Sequence, residues 1–418
     1  MQQQKKSFSA NLFLASGLLS SLTISLVNTQ PVQASSLQLN FIGQSIIPTV
    51  TQYQGTTVGG LSGITYDSAN NSFYTISDDR SQVNPARFYT ANIDTTQFNA
   101  NGVNSGVTFT GVTTLLQLGG TTFPALSLDP EAITLVNGNQ LFISSEGNAQ
   151  PTNIINPFVN RFSLATGQQN FALPVNSKFN PVFSGTTQIA GIRNNLAFES
   201  LTATPNSQFL FTATENAIVQ DGPVASLSSG TPSRIIQYDL NSNQEIAEFL
   251  YYTDPVALPP NPSNAFNTNG LVDLLALDNT GQNFLALERS FSSGAIGTPG
   301  NMGNTVKIFQ VSLAGSSNII NNNSLIASGT GGIIPAQKTL LLDLTNLGIP
   351  IDNVEGMTFG STLPNGQRSL ILVSDNNFSS TQFTQFLAFG VQSVPEPTTT
   401  IGLLIFGIAG LIKHKNRG

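Results

Sequence analysis

Carboxylates return at corresponding points of five stretches of this chain: LSGITYDSANNSFYTISDD from Leu61, PEAITLVNGNQLFISSEG from Pro130, FESLTATPNSQFLFTATEN from Phe198, VDLLALDNTGQNFLALERS from Val272 and VEGMTFGSTLPNGQRSLILVSDN from Val354. Each reads as a strand of about six residues, a turn rich in Asn, Gly, Ser or Pro, and a second strand closing on Asp or Glu. In an antiparallel hairpin the start of the first strand lies beside the end of the second. Ser62, Glu131, Glu199, Asp273 and Glu355 are therefore expected to neighbour Asp78, Glu146, Glu215, Glu288 and Asp375. A third column opens the following strand with Arg87, Arg161, Arg234 and Lys307, where the fifth copy offers only Thr384 and Gln385.

If each hairpin is the innermost pair of a larger repeat, the three columns converge on one face, with nine acids against four basic residues. Like charges held that close raise one another's pKa or recruit counterions. The only histidine is His414 and there is no cysteine, which excludes Ser-His-Asp and Cys-His catalysis and histidine-ligated zinc in the domain that carries the hairpins. No G-x-S-x-G elbow or phosphate-cradling loop is present either. Oxygen-rich acidic sets without histidine suit calcium or magnesium. The competing reading is structural: each strand-end acid pairs with the Arg of its own repeat and accepts backbone N–H bonds, with no ligand at all. Arg80 and Arg289 carry the same two readings, ion-pair partner or substrate clamp.

The elements that position these residues are strands. Asn, Gly, Ser, Thr and Pro separate short runs rich in Phe, Ile, Val, Leu and Thr, and helical spacing is nearly absent. Repeats about 68 to 83 residues apart leave room for four-stranded antiparallel blades. Two further strand-like runs follow each of the first four hairpins, but only FTQFLAFGV follows the fifth, and an unpaired run, LQLNFIGQSII, begins at Leu37. The expected fold is all-β, a β-propeller of about five four-stranded blades with a sixth possible, its last blade closed by the N-terminal strand. A β-sandwich of the same strands is the alternative architecture. The stretches 174–191 and 254–270 read as surface loops or rim lids, and the Asn-rich 316–323 as an exposed insertion.

Both ends of the chain read as addresses. Lys5 and Lys6, an apolar stretch and Val32-Gln33-Ala34 fit an export signal over residues 1–34. Residues 394–418 carry Pro395-Glu396-Pro397, a short apolar run and a basic end, and closely resemble the bacterial PEP-CTERM sorting signal. That resemblance implies an exported protein of the cell surface or extracellular matrix, an exosortase-type processing enzyme as partner, and transient membrane contact through the tail. The apolar run is shorter than the roughly 20 residues a spanning helix needs. The whole chain carries 15 Lys and Arg against 22 Asp and Glu, net −7. Without the two ends the balance is 10 against 21, net −11. Such a surface repels nucleic acid and attracts cations.

The domain between, residues 35–393, resembles the phytase-like family described as having esterase-like activity. The match rests on LSGITYD with TISDD, DPEAITL with ISSEG, NLAFESLTATPNS with ATEN, LLALD with LALERS, and DNVEGMTFG with LILVSDNNF; Phe198-Glu199-Ser200 departs from the family's usual Phe-Glu-Gly. The resemblance implies a propeller whose Asp and Glu residues support phosphoester hydrolysis. Calcium, or magnesium, would sit on Asp78, Glu146, Glu215, Glu288 and Asp375. One of Glu131, Glu199 or Glu355 would be the general base, and Arg87, Arg161 and Arg234 would hold a phosphorylated small molecule. A different class of function, a non-catalytic matrix propeller binding a cation-bridged polysaccharide or a protein, fits the same residues.

Overall fold

The computed structural model describes residues 36–295 and 303–394, so the expected export signal and sorting tail lie outside the described residues. The described chain is a five-bladed β-propeller of four-stranded antiparallel sheets. Blade 1 runs Leu61–Asp67, Ser72–Ser77, Arg87–Ile93 and Val107–Thr114, from the axis outward. Blade 2 runs Pro130–Val136, Gln140–Ser145, Phe158–Ser163 and Gln169–Ala172; blade 3 runs Phe198–Ala203, Phe209–Thr214, Pro232–Asp239 and Gln244–Tyr252. Blade 4 comprises Asn267–Ala276, Asn283–Ser292, Asn304–Ser312 and Gln337–Asp343. Blade 5 takes Asn353–Thr362, Arg368–Asp375 and Thr384–Val394 from the end of the described chain and its outermost strand, Ser36–Ile47, from the beginning.

That last pairing closes the ring. Ser36 lies opposite Val394 and Ile47 opposite Thr384, so the two ends of the domain hold each other by main-chain hydrogen bonds. First strands of successive blades pack side by side, the fifth against the first. Because each such strand is covered by both neighbouring blades, its residues are buried almost without interruption, polar ones included, as in Leu61–Asp67 and Pro130–Val136. Outer strands face solvent on one side and alternate instead, as in Val107–Thr114. Five apolar clusters fill the spaces between neighbouring blades. Phe142 and Phe198 mark the one between blades 2 and 3, Phe211 and Phe284 the one between blades 3 and 4, and Ile64 and Phe386 the one between blades 5 and 1.

Two departures from this five-fold pattern shape the site. Every first strand opens with a β-bulge: the register slips between Leu61 and Gly63, Pro130 and Ile133, Phe198 and Ser200, Leu271 and Asp273, and Val354 and Gly356. A bulge leaves an extra residue out of the ladder and re-aims its side chain. Blade 4 also begins early, with four extra pairs from Asn267 opposite Ser292 to Gly270 opposite Arg289. Blade 5 has one such pair, Asn353 opposite Asp375, and the other three have none, so the inner hairpin of blade 4 extends beyond theirs by about 14 Å at 3.4 Å per residue and beyond that of blade 5 by about 10 Å.

The Asn-rich 316–323 segment is more than the exposed insertion its composition suggests. Ile319 N donates to Glu248 O at 2.8 Å and Lys178 Nζ donates to Ile320 O at 2.6 Å. The segment thus lies over a buried charge network on blade 3, where a polar sequence satisfies backbone groups that water would otherwise reach.

Candidate functional site

The bulges decide which side chains reach the axis. In blades 2, 3 and 5 the residue extruded from the first strand is Glu131, Glu199 and Glu355; in blade 1 it is Ser62, whose hydroxyl instead donates to Glu131 O at 2.6 Å. Blade 4 breaks the series. Its bulged residue is Val272, not Asp273, because the register slip falls one residue earlier than a simple alignment of the hairpins implies. Asp273 accepts Leu274 N at 2.8 Å and Met357 N at 2.7 Å, tying the first strand of blade 4 to that of blade 5.

The same slip corrects the second column. Leu61, Pro130, Phe198 and Val354 pair with Ser77, Ser145, Thr214 and Ser374, and the acids follow one residue later as Asp78, Glu146, Glu215 and Asp375. Leu271 pairs with Glu288, so the blade 4 member of the column is Arg289. Glu288 faces the other way and accepts Tyr251 Oη at 2.6 Å, Asp254 N at 2.8 Å and Lys338 Nζ at 2.5 Å. With its oxygens already engaged, Glu288 is a packing anchor between blades 3 and 4, not a member of the expected metal set.

Third-strand cations do not come to the mouth, because that strand lies two strands out from the innermost one, and only Arg87 stands at its start; Arg161, Arg234 and Lys307 lie two or three residues further along. Arg87 is buried against Asp79 at 2.7 Å, Tyr89 Oη at 2.7 Å and Thr57 O at 2.7 Å. Arg234 is buried between Asp221 and Glu248. Arg161 donates to Asn170 at 2.8 Å and stacks over Phe171, and Lys307 reaches Asp254 at 3.0 Å. The ion-pair reading thus describes Arg87, Arg234 and Lys307, although their partners are other acids than the strand-end set, while Arg161 is held by an amide and an aromatic ring.

What does assemble at the mouth is a closed circuit of acids with two arginines set into it. The cavity, about 610 Å³, is lined by Asp78, Glu131, Glu199, Glu355 and Asp375 with Arg80 and Arg289, while Glu146 and Glu215 sit behind Glu199. Arg80 Nε lies 2.6 Å from Asp129, and Arg289 Nη2 lies 2.8 Å from Glu355 and 3.9 Å from Glu215. Carboxylate oxygens of Asp78, Asp129 and Glu131 fall within 4.8 Å of one another, and so do those of Glu146, Glu199 and Glu215. Two oxygen triads result, one bridging blades 1 and 2 and the other blades 2 and 3.

Burial and mutual repulsion push these groups up. Desolvation, then Asp129 and Asp375, raise Asp78 well above the usual carboxylate range; desolvation, then Asp78 and Glu199, do the same to Glu131. Glu199 is raised by burial and by Glu146, Glu215 and Glu355. Glu146 is pushed to about 8 and Glu215 to about 7, in both cases mainly by desolvation. Glu355 is also raised by burial, but the Arg289 guanidinium opposes the shift. Burial of so much like charge costs energy unless protons or cations compensate it.

The donor set fits a hard cation. All the ligands are oxygens, they come in close triads, and Asp78 Oδ1, Glu146 Oε2 and Glu215 Oε1 are buried without a hydrogen-bond partner. Lone pairs left over in this way are what calcium or magnesium coordinates. Asp129, next to the bulge in DPEAITL, and the amides of Asn304 and Asn353 join the site without having stood out in the sequence. Asp129 was discoverable from its place directly before the strand; the two amides carry no pattern that marks them.

The family described as "Esterase-like activity of phytase" matches residues 56–378. No curated protein matches the chain by sequence. Among solved structures, the Dos1 propeller is similar at 6% identity and a TM-score of 0.34, over 80% of this chain and 69% of that one. The periplasmic gluconolactonase PpgL of Pseudomonas aeruginosa is similar at 12% identity and a TM-score of 0.33, over 87% of this chain and all of its own.

Proposed function

We propose, from the premise that this chain belongs to the phytase-like family, that the acidic mouth of the propeller hydrolyses phosphate monoesters with the help of a bound divalent cation. The observation that carries the reading is the pairing of two partly buried arginines with oxygen triads at one cavity. An anion alone would be repelled by this floor. An anion that arrives against Arg80, Arg289 and a cation is not.

Calcium held by Asp78, Asp129 and Glu131, and by Glu146 and Glu215 behind Glu199, would neutralise phosphate charge and make a bound water more acidic. The protein's own groups divide the remaining work. Glu355, steadied by Arg289 at 2.8 Å, is the member best kept ionised and takes a proton from the attacking water. Glu199, whose neutral form burial favours, returns a proton to the leaving oxygen. The water oxygen bonds to phosphorus as the ester P–O bond breaks, and the alcohol departs with the proton from Glu199. Arg80 and Arg289 hold the non-bridging oxygens in place of Arg87, Arg161 and Arg234. In the same reading the protein is exported and its tail is processed by an exosortase-type enzyme.

Phosphate release from p-nitrophenyl phosphate and inositol phosphates, followed with calcium and with chelator, tests this directly. Glu355→Gln is expected to lower kcat about a hundredfold, within the range general bases contribute, and Arg161→Gln to leave it unchanged. Turnover indifferent to both chelator and Glu355→Gln removes the mechanism. Tight sugar or protein binding without turnover favours the matrix-binding alternative.

A further inference from the structure

We infer that the substrate is a phosphate monoester of a ring that keeps free hydroxyls, of the hexose phosphate type, and that the raised hairpin of blade 4 reads the ring. The inference rests on the hydrolase reading for the fate of the phosphate, but its observations are separate. The four extra pairs from Asn267–Ser292 to Gly270–Arg289 build a wall on one side of the mouth only. Phe266 stands at its top, 64% exposed, with its ring centroid 6.2 Å from that of Phe291, and both line the cavity. A large aromatic face open beside a polar cavity suits the C–H face of a sugar or another flat ring.

Asn304 chooses between those. It lies opposite Phe291 in the ladder, is 2% exposed, lines the same cavity, and its Oδ1 has no hydrogen-bond partner. An amide oxygen only accepts. Neither a phosphate dianion nor an aryl ring brings a proton to it, whereas a ring hydroxyl does. A ring phosphorylated all round has no free hydroxyl to give that oxygen a proton.

The test compares kcat/KM for glucose 6-phosphate, glycerol phosphate, p-nitrophenyl phosphate and inositol hexakisphosphate. Glucose 6-phosphate is expected to exceed each of the others at least tenfold, and Phe266→Ser or Asn304→Ser to shrink that margin about tenfold through KM. Equal rates, or a preference for the aryl or hexakisphosphate ester, overturn the inference and leave the hydrolase reading standing. If no ester is turned over, the hydrolase reading fails, and calorimetry decides the inference by itself. Glucose 6-phosphate binding weakened about tenfold by Phe266→Ser upholds it; no binding, or binding blind to both substitutions, overturns it.

Discussion

In the presence of chelator, raising the pH from 5 to 8.5 is expected to lower the melting temperature by about 5–10 °C, and millimolar calcium to restore part of that loss at pH 8.5 and none at pH 5. The sign follows from the direction in which folding moves the acids. Glu146 and Glu215 rise from 4.5 to about 8 and about 7 on folding. A carboxyl whose folded pKa is raised favours the native state below its unfolded pKa, and that advantage drains away as pH climbs through the folded value. The window therefore opens near pH 4.5 and closes near pH 8. A tenfold change in proton affinity is worth about 1.4 kcal/mol, and because the two acids share one repulsion their effects do not add in full. A combined loss on the order of 4 kcal/mol gives the stated temperature range for a domain of this size. Glu245, raised to about 9 by burial and by Glu248, contributes with the same sign but lies on blade 3 away from the triads, so calcium should not recover its share. Recovery at pH 8.5 follows from a ligand binding only the folded state. A melting temperature that rises with pH in chelator contradicts the buried acidic ring, and one that falls but ignores calcium contradicts the cation site.

The blades were readable from sequence because their cause is local. Alternating apolar runs, turns at Asn and Gly, and a spare strand at Leu37 matched to a missing one after Phe383 together imply a ring closed by its own beginning, as the pairing of Ser36–Ile47 with Thr384–Val394 shows. Seven of the nine acids expected at the mouth are there for the same reason: Asp78, Glu131, Glu146, Glu199, Glu215, Glu355 and Asp375 sit at fixed points of a repeated hairpin. The two that failed, Asp273 and Glu288, failed by a single residue. A strand has period two, so one misplaced residue turns a side chain to the opposite face. No property of the letters VDLLALD announces that the bulge falls on Val272 rather than Asp273. The arginines misled for another reason. Charge type was legible, but the partners of Arg87 and Arg234 lie in loops, at Asp79 and Asp221, and pairing across loops leaves no periodic trace.

Arg234→Met is expected to cost about 3–5 kcal/mol of stability while leaving the turnover of the folded protein intact, the reverse of what a substrate-binding arginine would do. Arg234 is wholly buried; its Nε lies 2.5 Å from Asp221 Oδ2 and its Nη1 2.6 Å from Glu248 Oε2. Lys178 still reaches Glu248 at 2.7 Å after the change, so Glu248 keeps a cation. Asp221 is left with the N–H of Leu325 at 2.9 Å as its remaining bond, a buried carboxylate without a counter-charge. Breaking a buried pair from one side is costly for this reason, whereas replacing both partners by apolar groups is often tolerated. Adding Asp221→Leu to Arg234→Met should therefore regain part of the lost stability, despite removing a second polar group. Denaturant unfolding of the three proteins, with kcat measured well below the melting transition, separates the possibilities. Failure of the second substitution to help would mean that the guanidinium's packing, not the stranded charge, sets the cost. A drop in kcat at unchanged stability would return Arg234 to the substrate, against its burial in the Asp221–Glu248 network and its absence from the lining of the mouth.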